Sequence, residues 1–179
     1  MGIREYHETD LNSLFGYWRY AGNSIPYFFA VSPNRWQVCL LCDELDGTPL
    51  FKDLKTHLVT EKGQVRGFVS CGQPSFIWDE NGEMLPNPHV GVIRHLYFDK
   101  GRVDVGESLL EIAYERLAAY GRIFAFYHAL GMSCNAYHGK LHSSQAHVDR
   151  LLHADGFQVE HENIYYVLDI TSENLVKDP

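Results

Sequence analysis

Sequence features that would assign the chain to a specialised class of protein are largely missing. No apolar run approaches the roughly 20 residues of a membrane-spanning helix, and the N-terminal residues contain no apolar signal segment. Basic residues are outnumbered, with 15 Lys and Arg against 23 Asp and Glu and a formal net charge of −8. Because binding to nucleic acid requires a surplus of Lys and Arg, we expect no nucleic acid as a partner. Because no apolar run is long enough to span a bilayer, we expect no membrane as a partner either. The four cysteines are dispersed and make no disulfide framework, so we expect a cytoplasmic protein.

What the sequence does contain is the composition of an ordinary globular domain with many aromatic rings. The 179 residues suffice for one domain with a substantial core. Hydrophobic residues make up 45% of the chain, and 11 Tyr, 10 Phe and 3 Trp predict a ring-rich core or pocket wall. Since there is no internal repeat and no linker composition, we expect a single domain over residues 1–179, in which the polar segment 171–179 is a loose tail.

The spacing of apolar residues predicts a mixed α/β arrangement. Strands are predicted at residues 3–7, on both sides of a hairpin turn at 61–64, at 89–98 and at 132–141, and a closing strand or hairpin is predicted from 157 to 170. Helices are predicted from cap candidates at 9–10 to residue 22, from 33 to about 46, from 105 to about 130 with Gly131 as C-cap, and from a cap at 142–144 to 155. Residues 72–88, rich in Pro, Gly and Asn, are predicted to form an extended connection, with or without a short strand.

Residues 92–111 have the features of an anion-binding site. A strand run ends at Asp99 and Lys100, a short loop contains Gly101 and Gly106, and the helical pattern begins near Val105. Such a strand–loop–helix junction directs several backbone N–H groups at one point, and the dipole of the helix adds partial positive charge there. We interpret this stretch as a phosphate-binding cofactor site. The alternative is an ordinary strand-to-helix turn in which Gly106 only allows close packing.

Four segments, in this order, resemble motifs of the GCN5-related N-acetyltransferase (GNAT) superfamily. They are EKGQVRGFV at residues 61–69, IRHLYFD at 93–99, VGESLLE at 105–111 and LLHADGF at 151–157. The first is similar to the family's hairpin of the second and third strands, and the next is similar to its fourth strand. The third resembles the pyrophosphate loop with its helix, and the last resembles the closing Gly-Phe. With a compatible two-helix start before them, the segments cover roughly residues 59–170.

The resemblance implies both a fold and an activity. The fold is a GNAT-like acyl-CoA N-acyltransferase α/β fold, with a central mixed, mostly antiparallel sheet that splays between its fourth and fifth strands and is flanked by helices. The activity is transfer of an acetyl group from acetyl-CoA, as co-substrate, to a primary amine of a small-molecule or peptide acceptor. The amine attacks directly, with no metal and no covalent intermediate. Dimers are common in the family, so a homodimer is a further expectation.

The resemblance also assigns residues to the cofactor. Backbone groups of Leu96 and Phe98 would meet the pantetheine arm, and Gln145 stands where the family usually has Asn. The N–H groups expected to hold the pyrophosphate belong to Arg102, Val103, Asp104, Val105, Gly106 and Glu107. Asp104 replaces a glycine of the family's loop and adds negative charge beside a pyrophosphate, unless it points to solvent or caps the helix. We therefore expect weaker cofactor binding than average, or a shifted loop.

The family's usual acid and base are not in their common places. Leu152 stands where many members have a Tyr acid, and Val92 stands where some have a Glu base. His138 and His142 are the candidate bases, because imidazole titrates near neutral pH, and Tyr137 is the alternative proton donor. A structural role for each of these three side chains, or removal of the proton by a water chain, stays open.

Aromatic residues are the candidates for an acceptor pocket. In the family, the early helices and the loop before the fourth strand border the acceptor, which points to Tyr27, Phe28, Phe29 and Trp78, although the same rings are equally suited to a core. No metal is expected, because the histidines near residue 140 lack the spacing of a helical zinc motif. Two alternatives to a transferase remain: a GNAT-like module that binds an acyl-CoA or a partner without turnover, and an unrelated α/β domain.

Overall fold

The computed structural model describes residues 1–23, 25, 31–41, 43–79, 81–86, 88–132 and 140–162. In chain order, the elements are β1 (Gly2–Glu5), α1 (Leu11–Gly22), α2 (Pro33–Leu41), β2 (Glu44–Leu45), β3 (Thr48–Pro49), β4 (Phe51–Glu61), β5 (Gln64–Pro74), β6 (Phe76–Trp78), β7 (Met84–Pro86), β8 (Gly91–Phe98), α3 (Val103–Leu117), β9 (Ile123–Ala125) and α4 (Ala146–Ala154). The main sheet has the order β1-β4-β5-β8-β9. Every neighbouring pair in it is antiparallel except β8–β9, which is parallel. The expected mixed, mostly antiparallel sheet is confirmed.

Helices cover both faces of this sheet. One face carries α3 and α4, whose apolar side chains form a core with sheet residues that include Val59, Val69, Ile93, Leu96 and Phe98. The other face carries α1 and α2, which pack on Leu58, Phe68 and Tyr97 through rings such as those of Phe15, Trp18 and Trp36. Sheet strands with apolar residues on both faces are typical of a sheet between two helical layers. None of the helices in the described part of the chain is long and apolar enough to cross a membrane.

The first helix begins where the sequence predicts, for reasons that are local. The Asp10 carboxylate accepts a hydrogen bond from the His7 backbone N–H (2.9 Å), and the Arg4 guanidinium binds both of its oxygens (2.5 and 2.6 Å). The next helix starts at Pro33, and the Ser32 hydroxyl accepts the N–H of Arg35 (3.3 Å). The Ser32 hydroxyl thus satisfies an N–H that α2 leaves without a partner, whereas the Asp10 carboxylate closes the short turn at residues 8–10 that leads into α1.

The predicted end of the second helix at residues 46–47 is wrong. The helix ends at Leu41, and Asp46 and Gly47, with φ of 49° and 77°, form the turn between β2 and β3. Two consecutive residues with positive φ form the tight turn that joins antiparallel strands, and Asp-Gly is a favoured pair there. The predicted hairpin turn at residues 61–64 is confirmed, with Lys62 and Gly63 in the same conformation. The extended connection contains the short hairpin β6–β7.

The predicted long helix to residue 130 is also wrong, and so is Gly131 as its C-cap. The helix α3 ends at Leu117, and Ile123–Ala125 form β9, which pairs with the beginning of β8. The prediction was based on aromatic residues at helical spacing, but Phe124 lies in a strand and packs at the beginning of β8. Gly121 is a poor helix former, and pairing with β8 outweighs the weak helical preference of this segment. The strand predicted at 132–141 falls mostly on residues 133–139. The closing strand or hairpin predicted from residue 157 is not formed over residues 157–162, and the rest of it falls on 163–170. Segments 133–139 and 163–170 lie outside the described residues.

Candidate functional site

The strands β8 and β9 separate at an irregularity in β8. Opposite β5, Ser70 pairs with His95 and Cys71 pairs with Ile93, so Arg94 is an extra residue, a β-bulge. On the other side, β9 pairs only with Gly91–Ile93, and the last contact is the Phe126 N–H donating to the Ile93 carbonyl (2.9 Å). Phe126 has a φ of 54°, which is rare for a bulky residue and turns the chain away. Within the described residues, the pairing of β8 with β9 stops at Ile93, so the expected splay is present.

The guanidinium of Arg94 fixes the bulge. The side chain is 2% exposed and donates to the Leu130 and Gly131 carbonyls (2.8 and 3.0 Å) and to the Cys39 carbonyl (2.9 Å). It also binds the Asp43 carboxylate at 2.9 Å. These contacts tie the C-terminal end of α2 and the segment after β9 to the point where the strands part. A cation is favourable there because the last carbonyls of α2 have no partner within the helix.

The second half of β8, which no described strand pairs on the side of β9, leads to the loop before α3. The Phe98 carbonyl lies on this edge of the strand and accepts a hydrogen bond from the His147 Nε2–H of α4 (2.9 Å). The Phe98 ring meets the His147 imidazole edge to face at 4.9 Å. Leu96 lies two residues earlier, so the two-residue period of a strand places its backbone groups on the same edge. Two residues were predicted to contact the pantetheine arm, Leu96 and Phe98. The Phe98 carbonyl already accepts a hydrogen bond from within the protein.

The loop before α3 uses part of its predicted N–H groups internally. Arg102 N–H donates to the Asp99 carbonyl (2.9 Å), while Val105 and Gly106 donate to the Arg102 carbonyl (3.0 and 3.3 Å). Arg102 is the N-cap of α3, so Val103 and Asp104 supply the first N–H groups of the helix, ahead of its first internal bond. Glu107 lies further inside the helix. Of the six predicted N–H donors, those of Val103 and Asp104 are thus the two that the helix leaves without a backbone carbonyl, and the Asp104 N–H contacts its own carboxylate.

The Asp104 carboxylate lies at this N-terminus and is held by Arg102. It accepts hydrogen bonds from Arg102 Nε and Nη2 (2.9 and 2.8 Å), and Arg102 Nη1 also donates to Glu61 (3.2 Å). The bond from Arg102, with a smaller contribution from nearby backbone N–H groups, lowers the pKa of Asp104. A negative side chain is favourable at a helix N-terminus, but it occupies the region where an external anion would bind.

Packing accounts for the glycine at position 106. A Cβ atom there would lie 2.6 Å from Leu151 Cδ2 and 2.7 Å from Phe98 Cε1. Gly106 therefore lets α3 approach both α4 and β8 closely. This is the alternative that the sequence left open for Gly106, and it explains the residue without a ligand.

Two polar residues at the start of α4 have structural contacts. The buried Gln145 donates from Nε2 to the Ala21 carbonyl (2.8 Å), which joins α4 to the end of α1. His142 Nδ1 accepts the Ser144 N–H (3.1 Å) and caps the turn that precedes α4, as the predicted helix start requires. The Nδ1 lone pair of His142 is thus engaged by a backbone N–H, and a role of this residue as a base stays a prediction. The other catalytic candidates, Tyr137 and His138, lie outside the described residues.

Trp78 lies beside the closed end of the β8–β9 pair. Its backbone N–H and carbonyl both contact the Tyr127 hydroxyl at 3.2 Å, and its ring meets Phe76 at 5.1 Å. The two rings belong to a cluster with Val92, at the end of β8 that is far from the α3 loop. A role for Trp78 in acceptor binding stays a prediction. The other acceptor candidates, Tyr27, Phe28 and Phe29, lie outside the described residues.

His95 is a buried polar residue that the sequence analysis did not select. It follows the bulge, is 1% exposed, and neither ring nitrogen has a hydrogen-bond partner among the residues that the structure describes. Burial, with a smaller effect of the Arg94 charge, lowers the pKa of His95 well below 6.5. The signal in the sequence was the pair Arg94-His95, two adjacent polar residues inside an otherwise apolar strand. In the described ranges, no group of three His, Cys, Asp or Glu side chains is placed to hold a metal ion.

Comparisons with known proteins identify the fold. No protein-family model matches the sequence, and no curated protein does. Among solved structures, an aminoglycoside antibiotic 6'-N-acetyltransferase from Acinetobacter haemolyticus is 14% identical, with a TM-score of 0.54 over 96% of this chain and 100% of the other. A transcriptional regulator from Bacillus halodurans is 15% identical, with a TM-score of 0.56 over 93% and 99%. An aminoglycoside N-acetyltransferase solved in complex with CoA is 12% identical, with a TM-score of 0.51 over 94% and 100%.

Proposed function

We propose that this chain, which has the fold of the GNAT acetyltransferases, transfers an acetyl group from acetyl-CoA to a primary amine. The observation that carries the proposal is the part of β8 beyond the bulge at Arg94, which leads directly to the N-terminus of α3 and which no strand of the described residues pairs on the side of β9. An extended chain needs unpaired strand groups, and a diphosphate needs N–H groups at a helix start; both are adjacent here. A solved structure of the same fold contains CoA.

The residues of this chain divide the binding of acetyl-CoA between two elements. The backbone of Leu96 would pair with the pantetheine arm, and the N–H groups of Val103 and Asp104 would face the diphosphate. The fit is incomplete, because the Asp104 carboxylate lies at the same N-terminus and Arg102 is engaged with it. Binding therefore requires Asp104 to turn away, which would free the Arg102 guanidinium to pair with a phosphate.

Catalysis in this proposal is mainly positioning. When bound, acetyl-CoA supplies a thioester, from which the amine takes the acetyl group: a C–N bond forms and the C–S bond breaks. The proton that the amine loses ends on the sulfur, so the products are an amide and the CoA thiol. The irregular backbone at the bulge offers an N–H beside the place where the strands part, and such a donor steadies negative charge on the carbonyl oxygen.

Titration calorimetry with acetyl-CoA and CoA tests the proposal, together with one pair of variants. Val103→Pro removes an N–H at the first helical position, where proline is well tolerated, and Val103→Ala keeps it. We expect V103P to weaken acetyl-CoA binding about tenfold, the effect of losing one hydrogen bond to a charged group. V103A should bind as the wild type does. No binding by the wild type at high micromolar concentration, or equal binding by the two variants, would contradict this site.

A second candidate is a module of the same fold that binds an acyl-CoA or a partner without turnover. The Arg102–Asp104 pair favours it, because a loop that satisfies its own charges is a weak diphosphate site. Release of thiol from acetyl-CoA separates the two candidates. With spermidine, kanamycin and an alanyl peptide as acceptors, we expect turnover of at least one amine. Binding of acetyl-CoA with no turnover of any of them would favour the second candidate.

A further inference from the structure

The imidazole of His95 lies next to the opening between β8 and β9. Pairing with β9 ends at Ile93, and Arg94 and His95 are the first residues beyond it. All the described donors of Arg94 contact carbonyls or the Asp43 carboxylate, so its guanidinium is committed to the fold. His95 is therefore a polar side chain beside the opening that is not engaged elsewhere in the described structure.

His95 lies on the face of the sheet that is opposite to the cofactor loop. Its ring is 6.1 and 6.2 Å from the Phe68 and Tyr97 rings, which belong to the core under α1 and α2. The helix α3 covers the other face. Because the ring is 1% exposed under α1 and α2, an amine would reach it only through the opening between the strands, where it would meet a thioester that lies along the α3 loop.

Burial of this imidazole without a partner is unfavourable for folding. Its strand neighbours satisfy each other, since Ser70, which is paired with His95 in register, exchanges a hydrogen bond of 2.6 Å with Thr56. The described neighbours Phe68, Tyr97 and Ser70 are uncharged. The charged group beside the ring is Arg94, which forms an ion pair with Asp43. A buried donor and a buried acceptor that are left unpaired each lower the stability of the folded state. A leucine of similar size would avoid this loss.

We infer that His95 binds the attacking amine, and that its unprotonated ring nitrogen accepts a hydrogen bond from the amine N–H. This inference rests on the proposed transferase function and adds the residue that orients the acceptor. A neutral imidazole suits the role, because its lone pair stays available to the amine, while the amine's own lone pair points at the thioester carbonyl. Burial, with a smaller effect of the Arg94 charge, keeps the ring neutral by lowering its pKa.

Three variants separate a binding role from a packing role. His95→Leu removes both nitrogens, and His95→Gln retains one hydrogen-bond acceptor. His57→Leu is the matched control, because His57 also has a buried, unpaired Nδ1 but lies on β4, directly opposite Val69 of the α3 core. Thermal unfolding, calorimetry with acetyl-CoA and thiol release with spermidine, kanamycin and an alanyl peptide are measured on each.

We expect H95L to be at least as stable as the wild type, with a Tm higher by about 2–4 °C for each 1 kcal/mol recovered. Its acetyl-CoA affinity should change less than about twofold, while kcat/KM for the amine falls at least about tenfold, as for one lost hydrogen bond in the reacting complex. H95Q should recover part of this loss, and H57L should keep the wild-type kcat/KM.

The outcomes distinguish the two proposals. A wild type that turns over an amine, together with H95L at an unchanged kcat/KM, would overturn the role of His95 and leave the transferase intact. If H95L and H95Q had equally reduced kcat/KM values and equally lowered Tm values, His95 would act through packing alone. That result would also overturn its role in binding the amine. A wild type that binds no acetyl-CoA, or acetylates none of the three amines, would overturn the transferase and this inference with it.

Discussion

At the scale of single residues, Asp104 is the side chain that most affects cofactor binding. Its carboxylate lies at the N-terminus of α3 and binds the Arg102 guanidinium, so it competes with a diphosphate for both. We expect Asp104→Asn to tighten CoA binding by about five- to tenfold, because one repulsive charge is removed and Arg102 is released. Calorimetry with CoA at two salt concentrations measures this, and the gain should shrink at the higher one.

The matched control for this change is Glu111→Gln, which alters the net charge equally from a position deeper in α3. It should leave the affinity for CoA unchanged. If D104N bound CoA no better than E111Q does, the carboxylate would not lie in the path of the diphosphate, and the loop would bind it in some other way.

At the scale of elements, the contact of α3 with α4 and β8 depends on the missing side chain of Gly106. In Gly106→Ala, the new Cβ would overlap Leu151 and Phe98 at 2.6 and 2.7 Å, so one of these must move. We expect a loss of about 1–3 kcal/mol in the free energy of unfolding, the usual effect of overpacking. Urea denaturation measures it.

Gly121→Ala serves as the control for this change, because no atom lies within 4 Å of a Cβ built at Gly121. It should be within about 0.5 kcal/mol of the wild type. A G106A protein as stable as G121A would mean that α3 and α4 are separated more widely than described, and the packing explanation for Gly106 would fail.

At the scale of the whole molecule, the buried histidine predicts how stability depends on pH. Burial and then the Arg94 charge lower the pKa of His95 well below 6.5, so the unfolded chain binds a proton that the folded chain excludes. Stability is therefore complete above about pH 6.5 and is lost as the pH falls below it, with a slope of up to about 1.4 kcal/mol per pH unit from this group. His57 and His128, whose pKa values are also lowered by burial, add to the slope in the same direction.

Urea unfolding of the wild type and H95L at about pH 8, 7, 6 and 5 measures this slope. The variant should lose less stability between about pH 7 and pH 5 than the wild type does. Identical slopes would show that His95 is accessible to protons in the folded state. In more acidic solution a further loss is expected in both proteins, because the pKa of Asp10 is lowered by its bond to Arg4 and that bond is lost on protonation.

Much of the local structure could be predicted from the sequence. The turn at Lys62-Gly63, the start of α2 at Pro33, the His142 cap before α4 and its end near Gly156 all follow from contacts within a few residues. Their conformations depend on turn geometry and on the capping of free N–H groups, which a short peptide already contains. The splay could be inferred only from the resemblance of the strand and loop segments to a known fold.

The remaining features required the tertiary structure, because they depend on residues far apart in the chain. Whether the segment after Leu117 continues as a helix is decided by the free energy of pairing Ile123–Ala125 with β8. The bulge at Arg94 and the commitment of its guanidinium to carbonyls of α2 and of the segment after β9 appear only once these elements pack together. In the sequence, His95 is one polar residue in an apolar strand. Its burial without a partner arises because two layers of helices exclude water from the sheet between them.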